Sequence, residues 1–494
     1  MSNSPLHVLF VNPPERRVPR SNLPASIEDL RGVNPPISIL YPAASAREVV
    51  GWNVSLLDAH ALGLSDVEIA HEVERRQPDL VGISSTTFTY LDALATARAA
   101  RAGAPRAKVV VGGVQPFIYP TETLAQPEVD MILSGEAEES LPRLLAAWRD
   151  GGFESVASAE IPGVLASGMS AEGFTPAPAV RDLDRFPMPA WDLAPIERYS
   201  SLITRLAPVG IMVTSRGCPF HCHYCALSPT GKTWRASSPE RVAEEMAYAA
   251  GLGVRYLMFY DELFTVRKDR VHGICREIAR KGLGIPWMAR VTPGMVDETT
   301  LAEMRSAGCD LVTFGVESGD KDVLKNLGRK TGLDAVRESF AMAHKVGLRT
   351  IAYFMLGNPG ESRAQIRRSL RTAVRLGPEM VHAALYVPYP ATRLYDDALA
   401  DGRIATDYWK EFARSPSGSF VPPLGSEVLS DAELEYELLK FYRAFSLRPG
   451  YVLDRLRSLR SWRDLRRGLS GLAVLIRGFG PSKAQSVAGT ATAS

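Results

Sequence analysis

The chain has 494 residues, with 57 Lys and Arg set against 55 Asp and Glu for a formal net charge of +2. That length allows two or three domains with sizeable cores, and so even a charge balance excludes a strongly basic nucleic-acid grip as the main function. Five cysteines imply no disulfide framework, the opening MSNSPLHVLFVNPPERR has too short an apolar run for a secretory leader, and no stretch reaches the length of a membrane span; the expectation is a cytoplasmic protein.

Short runs rich in Val, Ile and Leu alternate with helical segments from the start, the pattern of a parallel sheet covered on both faces. Strands are predicted at 6–11, 54–57, 80–84, 108–111 and 130–133, with helices such as 39–50 and 66–76 between them. They make a five-stranded, doubly wound (Rossmann-like) α/β domain over residues 1–175. Its strands end in loops of small and polar residues, NPP at 12–14, SSTT at 84–87, GGVQP at 112–116 and GEAEES at 135–140. Ligands of open parallel sheets bind at those carboxyl ends. The proline-dense stretch over 176–208 reads as a linker.

From Val209 the alternation restarts. Strands at 211–214, 256–260, 287–289, 311–316, 350–355 and 381–387 each run into polar residues, which predicts a partial TIM-type (β/α)6 barrel over 209–400 with its chemistry on the carboxyl face. A helical region follows over 401–480. Within it a leucine stripe with interleaved arginines at 451–472 fits a helix packed on the barrel, or less usually a surface that meets a membrane or a lipid. Residues 481–494 have the composition of a disordered tail.

The most informative residues follow the first barrel strand. SRGCPFHCHYCAL at 215–227 places Cys218, Cys222 and Cys225 in the pattern C-x-x-x-C-x-x-C. Three thiolates hold three irons of a four-iron, four-sulfur cluster and leave one iron open for chemistry. A structural zinc site asks for four ligands, and His221 and His223 sit too close to the cysteines to complete a relaxed tetrahedron. Cys275 and Cys309 lie in apolar helical surroundings and read as buried free thiols.

The triad, with Tyr224 just before its third cysteine, resembles the signature of the radical S-adenosylmethionine superfamily. Together with DELF at 261–264, TFGVESG at 313–319, LGNPGES at 356–362 and PYPATRLY at 388–395, the chain from about residue 6 to about 450 resembles the cobalamin-dependent branch of that superfamily. That branch includes anaerobic magnesium-protoporphyrin monomethyl ester cyclases and many C-methyltransferases. The resemblance implies three cofactors: a [4Fe–4S] cluster, S-adenosyl-L-methionine and cobalamin. It places Tyr224, Asp261, Glu262, Arg290 and Glu317 along the S-adenosylmethionine site, and Ser84, Ser85, Thr86, Gly112, Gly113 and Gln115 along cobalamin. Asp261 and Glu262 alternatively cap a helix over 265–281. Asp58, His60 and Gly63 spell D-x-H-x-x-G, the run by which other cobalamin proteins ligate cobalt. Here it follows the second strand where that run belongs after the first, so it reads as a coincidence. Ala391 stands where relatives generally carry glycine.

The expected activity is methyl transfer to an unactivated carbon of a small, largely apolar metabolite, lipid- or tetrapyrrole-like. The resemblance implies that a deoxyadenosyl radical removes a substrate hydrogen and methylcobalamin supplies the methyl group. An electron donor such as flavodoxin or ferredoxin is expected, no nucleic acid, and peripheral membrane contact only through the C-terminal stripe. The rivals are an oxidative cyclase or ring-rearranging enzyme of the same architecture, and a non-enzymatic iron-sulfur or cobalamin sensor.

Overall fold

The computed structural model describes residues 5–20, 31–226 and 231–457. Two six-stranded sheets carry it. The first has the order β2-β1-β3-β4-β5-β6, built from β1 (Leu6–Asn12), β2 (Trp52–Asp58), β3 (Leu80–Ser84), β4 (Lys108–Gly112), β5 (Met131–Leu133) and β6 (Val164–Ala166). Its first five strands are parallel, as the runs of buried Val, Leu and Ile require of a sheet covered on both faces. The sixth, β6, was not anticipated. It has three residues and pairs antiparallel to β5, too short to show a pattern.

The second sheet runs β7-β10-β11-β12-β13-β14, all parallel and in chain order. Its members are β7 (Val209–Met212), β10 (Tyr256–Phe259), β11 (Trp287–Val291), β12 (Cys309–Glu317), β13 (Arg349–Leu356) and β14 (Met380–Leu385). It curls into a half-barrel, not a closed one. Phe259, Trp287, Phe314 and Phe354 face the helices that cover its outside. On the opposite face Ile211, Met258, Met288, Leu311 and Ile351 form a separate apolar cluster, floored by Tyr199 and with Ala194 and Ile203 packed against it. The linker is therefore part of the packing. Trp191 and Tyr199 are completely buried, and the Tyr199 hydroxyl donates to Asp58 at the end of β2 (2.8 Å).

Between the domains, contacts come from helices, as where the Tyr41 hydroxyl donates to Glu245 (2.7 Å), and from loops at the carboxyl ends of the strands. Phe88, after β3, packs on Tyr389, after β14, with ring centroids 4.9 Å apart. Among the described residues beyond 400 the helices are Tyr408–Arg414, Asp431–Ser446 and Pro449–Arg457. The first of them straps the domains together: Tyr90 and Gln126 of the first domain donate to the Ala413 carbonyl at 3.2 and 3.1 Å, and Tyr119 to Asp407 at 3.1 Å. The leucine stripe expected over 451–472 falls outside the described residues from 458 on, as does the tail over 481–494. Among the described residues no helix is long and apolar enough to cross a membrane.

The loop after β14 holds the odd alanine of PYPAT in a conformation that suits glycine. Ala391 has φ 58°, a left-handed conformation that suits glycine and strains any residue with a Cβ. Replacing it should relieve that strain. Ala391→Gly is expected to raise stability by about 0.5–1 kcal/mol, the left-handed penalty less the extra backbone freedom of glycine, read from denaturant midpoints of wild type and variant.

Candidate functional site

The cysteine loop departs from the end of β7, and its two ends are joined by a hairpin of β8 (Ser215–Arg216) with β9 (Arg235–Ala236). No helix or longer strand supports residues 217–226. The loop is instead held by side chains that reach it from neighbouring elements. Asp261, which follows β10, is completely buried. Its Oδ1 accepts the Thr214 N–H (2.6 Å), and its Oδ2 accepts the Thr214 and Ser215 hydroxyls (2.6 and 2.7 Å). Burial raises its carboxyl above the usual range, while the nearby Arg270 guanidinium and these donors pull the other way. Because Thr214 gives its N–H to this carboxylate, β7 ends at Met212 and not at Thr214 as expected.

Asp261 was expected along the S-adenosylmethionine site, or as a helix cap. Both oxygens are spent inside the protein, and the following helix, Lys268–Arg280, has Arg267 at its N-cap with no side-chain cap bond. The buried carboxylate is thus an anchor for the loop. Glu262 does not cap the helix either. It is exposed and accepts the Gly217 N–H (2.5 Å).

Cys218 and Cys222 are half-buried and Cys225 is exposed. Although Cys225 is exposed as a residue, desolvation of its thiol by the surrounding protein, then the neighbouring thiols, push it up to about 12, and burial raises Cys218. Without a metal Cys218 and Cys225 hold their protons, and loading must displace them. Among the described residues no three His, Cys, Asp or Glu converge on a single ion. A cluster gives each thiolate its own iron, so thiols on one loop within electrostatic reach of each other fit it better than they fit zinc. Cys275 and Cys309 are buried in the core.

Tyr224 lies beside Glu317, whose carboxyl is raised by burial and drawn back by Arg329 and by Tyr224. Glu317 sits at a bulge ending β12 with φ 65°, a backbone conformation that persists only where surrounding contacts fix it. Arg329 was not anticipated. Its Nη2 donates to the Gly315 carbonyl (2.6 Å) and its Nη1 lies 4.0 Å from Cys222 Sγ, which puts a fixed positive charge beside the triad. No spacing in the sequence marks it. The same turn grips the loop directly: His223 N–H donates to the Leu327 carbonyl (2.9 Å), and a Cβ at Gly328 would come within 2.7 Å of the His223 ring.

Arg290 is exposed at the end of β11, with its guanidinium over the Tyr260 ring at 3.8 Å. Tyr353 and His382 lie alongside on β13 and β14, ring centroids 4.8 Å apart. Burial pushes His382 down to about 4, so its imidazole is neutral at pH 7.

On the first sheet the strand order places the switch point between β1 and β3. The loop after β1 is fixed by Asp92, which accepts the Arg16 and Arg17 N–H groups at 2.9 and 2.8 Å. Ser84 ends β3 with Ser85 and Thr86 just after it, and Gly112 ends β4. Gly113 has φ 99°, and a Cβ there would lie 2.5 Å from the Ser85 carbonyl. Gln115 is completely buried with neither side-chain N nor O hydrogen-bonded, and Ser134 after β5 has a buried, unpartnered hydroxyl. Orphaned polar atoms at a carboxyl edge, with glycine allowing close backbone approach, fit a polar ligand such as the cobalamin periphery. His60 is elsewhere. It lies on the short helix Ala59–Leu62 after the edge strand β2, where Asp58 accepts the Ala61 N–H (3.0 Å) as cap and Gly63 ends the turn. The D-x-H-x-x-G run thus serves a local turn.

The chain matches the Radical SAM superfamily over residues 212–373 and the B12 binding domain over residues 26–145. It is 30% identical over 430 residues to an uncharacterised methyltransferase of Pyrococcus horikoshii, covering 85% of this chain and 89% of that protein. It is 26% identical over 460 residues to the anaerobic magnesium-protoporphyrin IX monomethyl ester cyclase of Rubrivivax gelatinosus, covering 90% and 78% respectively. Among solved structures, the radical S-adenosylmethionine methyltransferase TsrM of Kitasatospora setae, with cobalamin and a [4Fe–4S] cluster bound, superposes with a TM-score of 0.69 at 17% identity, covering 99% of this chain and all of that one.

Asp261→Ala leaves one buried N–H and two hydroxyls without an acceptor. It is expected to lower stability by at least about 2 kcal/mol in denaturant unfolding of the metal-free protein. An unchanged midpoint would show that the carboxylate does not anchor the loop.

Proposed function

The chain belongs to the radical S-adenosylmethionine enzymes that carry a B12 binding domain, and we propose that within them it is a C-methyltransferase acting on an unactivated carbon of a small, largely apolar metabolite. The relation to the Pyrococcus horikoshii methyltransferase carries this reading, since it runs through both sheets and nearly the whole of that protein.

The enzyme takes a [4Fe–4S] cluster, S-adenosylmethionine and cobalamin as its family does. When bound, these groups supply a carbon-centred radical for hydrogen removal and a methyl group for the resulting carbon. We assign Cys218, Cys222 and Cys225 to the cluster. Arg329 contributes a charge beside Cys222, and Asp261 acts as a positioning residue through Thr214 and Ser215. Glu262, Arg290, Tyr224 and Glu317 supply the carboxylates, guanidinium and ring suited to a zwitterionic amino acid, a sulfonium and ribose hydroxyls. Ser84, Ser85, Thr86, Gly112, Gly113 and Gln115 take the cobalamin periphery. The inner wall of the half-barrel, Met258 and Met288 below Tyr260, Tyr353 and a neutral His382, suits an apolar or aromatic substrate and excludes water beneath it. A small redox protein such as flavodoxin or ferredoxin supplies the electron.

The test feeds S-adenosylmethionine bearing a deuterated methyl group to cells making the product, and to reconstituted enzyme. Deuterium is expected on a carbon of the product, with S-adenosylhomocysteine and 5′-deoxyadenosine in comparable amounts. A variant with all three triad cysteines changed to alanine is expected to bind no iron and form no deoxyadenosine. Deoxyadenosine without S-adenosylhomocysteine would move the assignment to an oxidative cyclase.

A further inference from the structure

The neck of the cysteine loop is gripped by the other domain. Arg216 and Arg235 are cross-strand partners in the β8–β9 hairpin, and two residues per strand are too few to hold such a hairpin alone. Both guanidinium groups enter an ion cluster with Glu136 and Glu138, which follow β5. Arg235 Nη2 and Nη1 donate to Glu136 Oε1 and Oε2 at 2.7 and 3.0 Å. Arg216 Nη1 lies 3.4 Å from Glu136 Oε2, and its Nη2 pairs with Glu138. Each of the four side chains is no more than 11% exposed. The Val180 N–H adds a bond to Glu136 Oε2 (2.9 Å), and Arg216 lies over the Tyr41 ring.

Charges this deeply buried are costly unless all partners are in place, so the hairpin neck and the segment 134–138 are ordered together or not at all. That segment has a second engagement. It begins at Ser134, whose hydroxyl is buried without a partner, next to the β4 loop that carries the unpartnered Gln115 amide. One end of five consecutive residues faces the ligand edge of the first sheet, and the other clamps the base of the cysteine loop.

The geometry points to Glu136, Glu138, Arg216 and Arg235 as positioning residues through which cobalamin binding on the first sheet and cluster assembly in the cysteine loop strengthen each other. This rests on the assignment above of those two groups to those two places. Either group, once bound, orders the segment and its ion cluster, so the second is bound at a smaller ordering cost. Linkage makes the two effects equal.

The test is an anaerobic titration of the full chain with hydroxocobalamin, followed by its visible absorbance, for cluster-loaded and iron-free protein. The expected result is a dissociation constant at least about fivefold lower with the cluster present. Glu138→Gln keeps the side chain's size and removes only the charge paired with Arg216. It is expected to bring the two constants together while the circular dichroism spectrum and saturable loading of both groups are retained. Equal constants in the wild type overturn the coupling whether or not the variant folds. Undiminished coupling in both Glu138→Gln and Glu136→Gln removes these residues from it. No saturable cobalamin binding to either form rejects the underlying assignment, and the coupling with it.

Discussion

The buried carboxylate of Asp261 does two things with one set of hydrogen bonds: it ends β7 by taking the Thr214 N–H, and it fixes the first residues of the loop that bears the cysteines. The described part of that loop has no secondary structure of its own, so its shape is set from outside. Asp261 and Glu262 hold its start, the 326–328 turn holds His223, and the Leu394 N–H donates to the His223 carbonyl at 2.9 Å. The Arg216 and Arg235 neck is closed by Glu136 and Glu138 of the first domain. The thiol triad thus takes its placement from many separate elements of the fold and not from the loop itself.

The same logic governs the space between the sheets. Their carboxyl-end loops meet through Phe88 and Tyr389, and the helix Tyr408–Arg414 closes the seam with Trp409 and Phe412 packed among Tyr389, Tyr90 and Phe420. Such aromatic contacts add about 0.5–1.5 kcal/mol per pair to the area they bury. A family whose chemistry needs two large cofactors to reach one substrate gains from fixing both domains in a single arrangement. The region after residue 400 supplies much of that fixation here.

How much of this was legible in the sequence follows from range. Most parallel strands were readable because a strand buried on both faces writes a continuous apolar run: β3 was placed to the residue, and most other ends lay within about two positions. The triad could be proposed from the sequence because its three cysteines are local to one another. Arg329 could not be, because a guanidinium 107 positions from Cys222 reaches it only through a fold. GEAEES looked like a ligand loop for the same reason: the partner of Glu136 lies 99 residues away, and nothing local distinguishes a ligand carboxylate from a latch. The bonds of Asp261 to Thr214 and Ser215 were not foreseen, since its burial beside them is a tertiary fact. Ala391 shows another limit: the departure from glycine was visible in the sequence, but the left-handed backbone it must adopt was not.

Because the carboxyl ends of both sheets meet at Phe88 and Tyr389, the two cofactors assigned to those ends would share one space. Cob(II)alamin and the reduced [4Fe–4S] cluster are both paramagnetic, so electron paramagnetic resonance of doubly loaded protein tests it directly. The account predicts that reducing the cluster broadens the cob(II)alamin signal and speeds its relaxation through dipolar coupling. A cob(II)alamin signal identical in lineshape and relaxation with the cluster reduced or oxidised would contradict it.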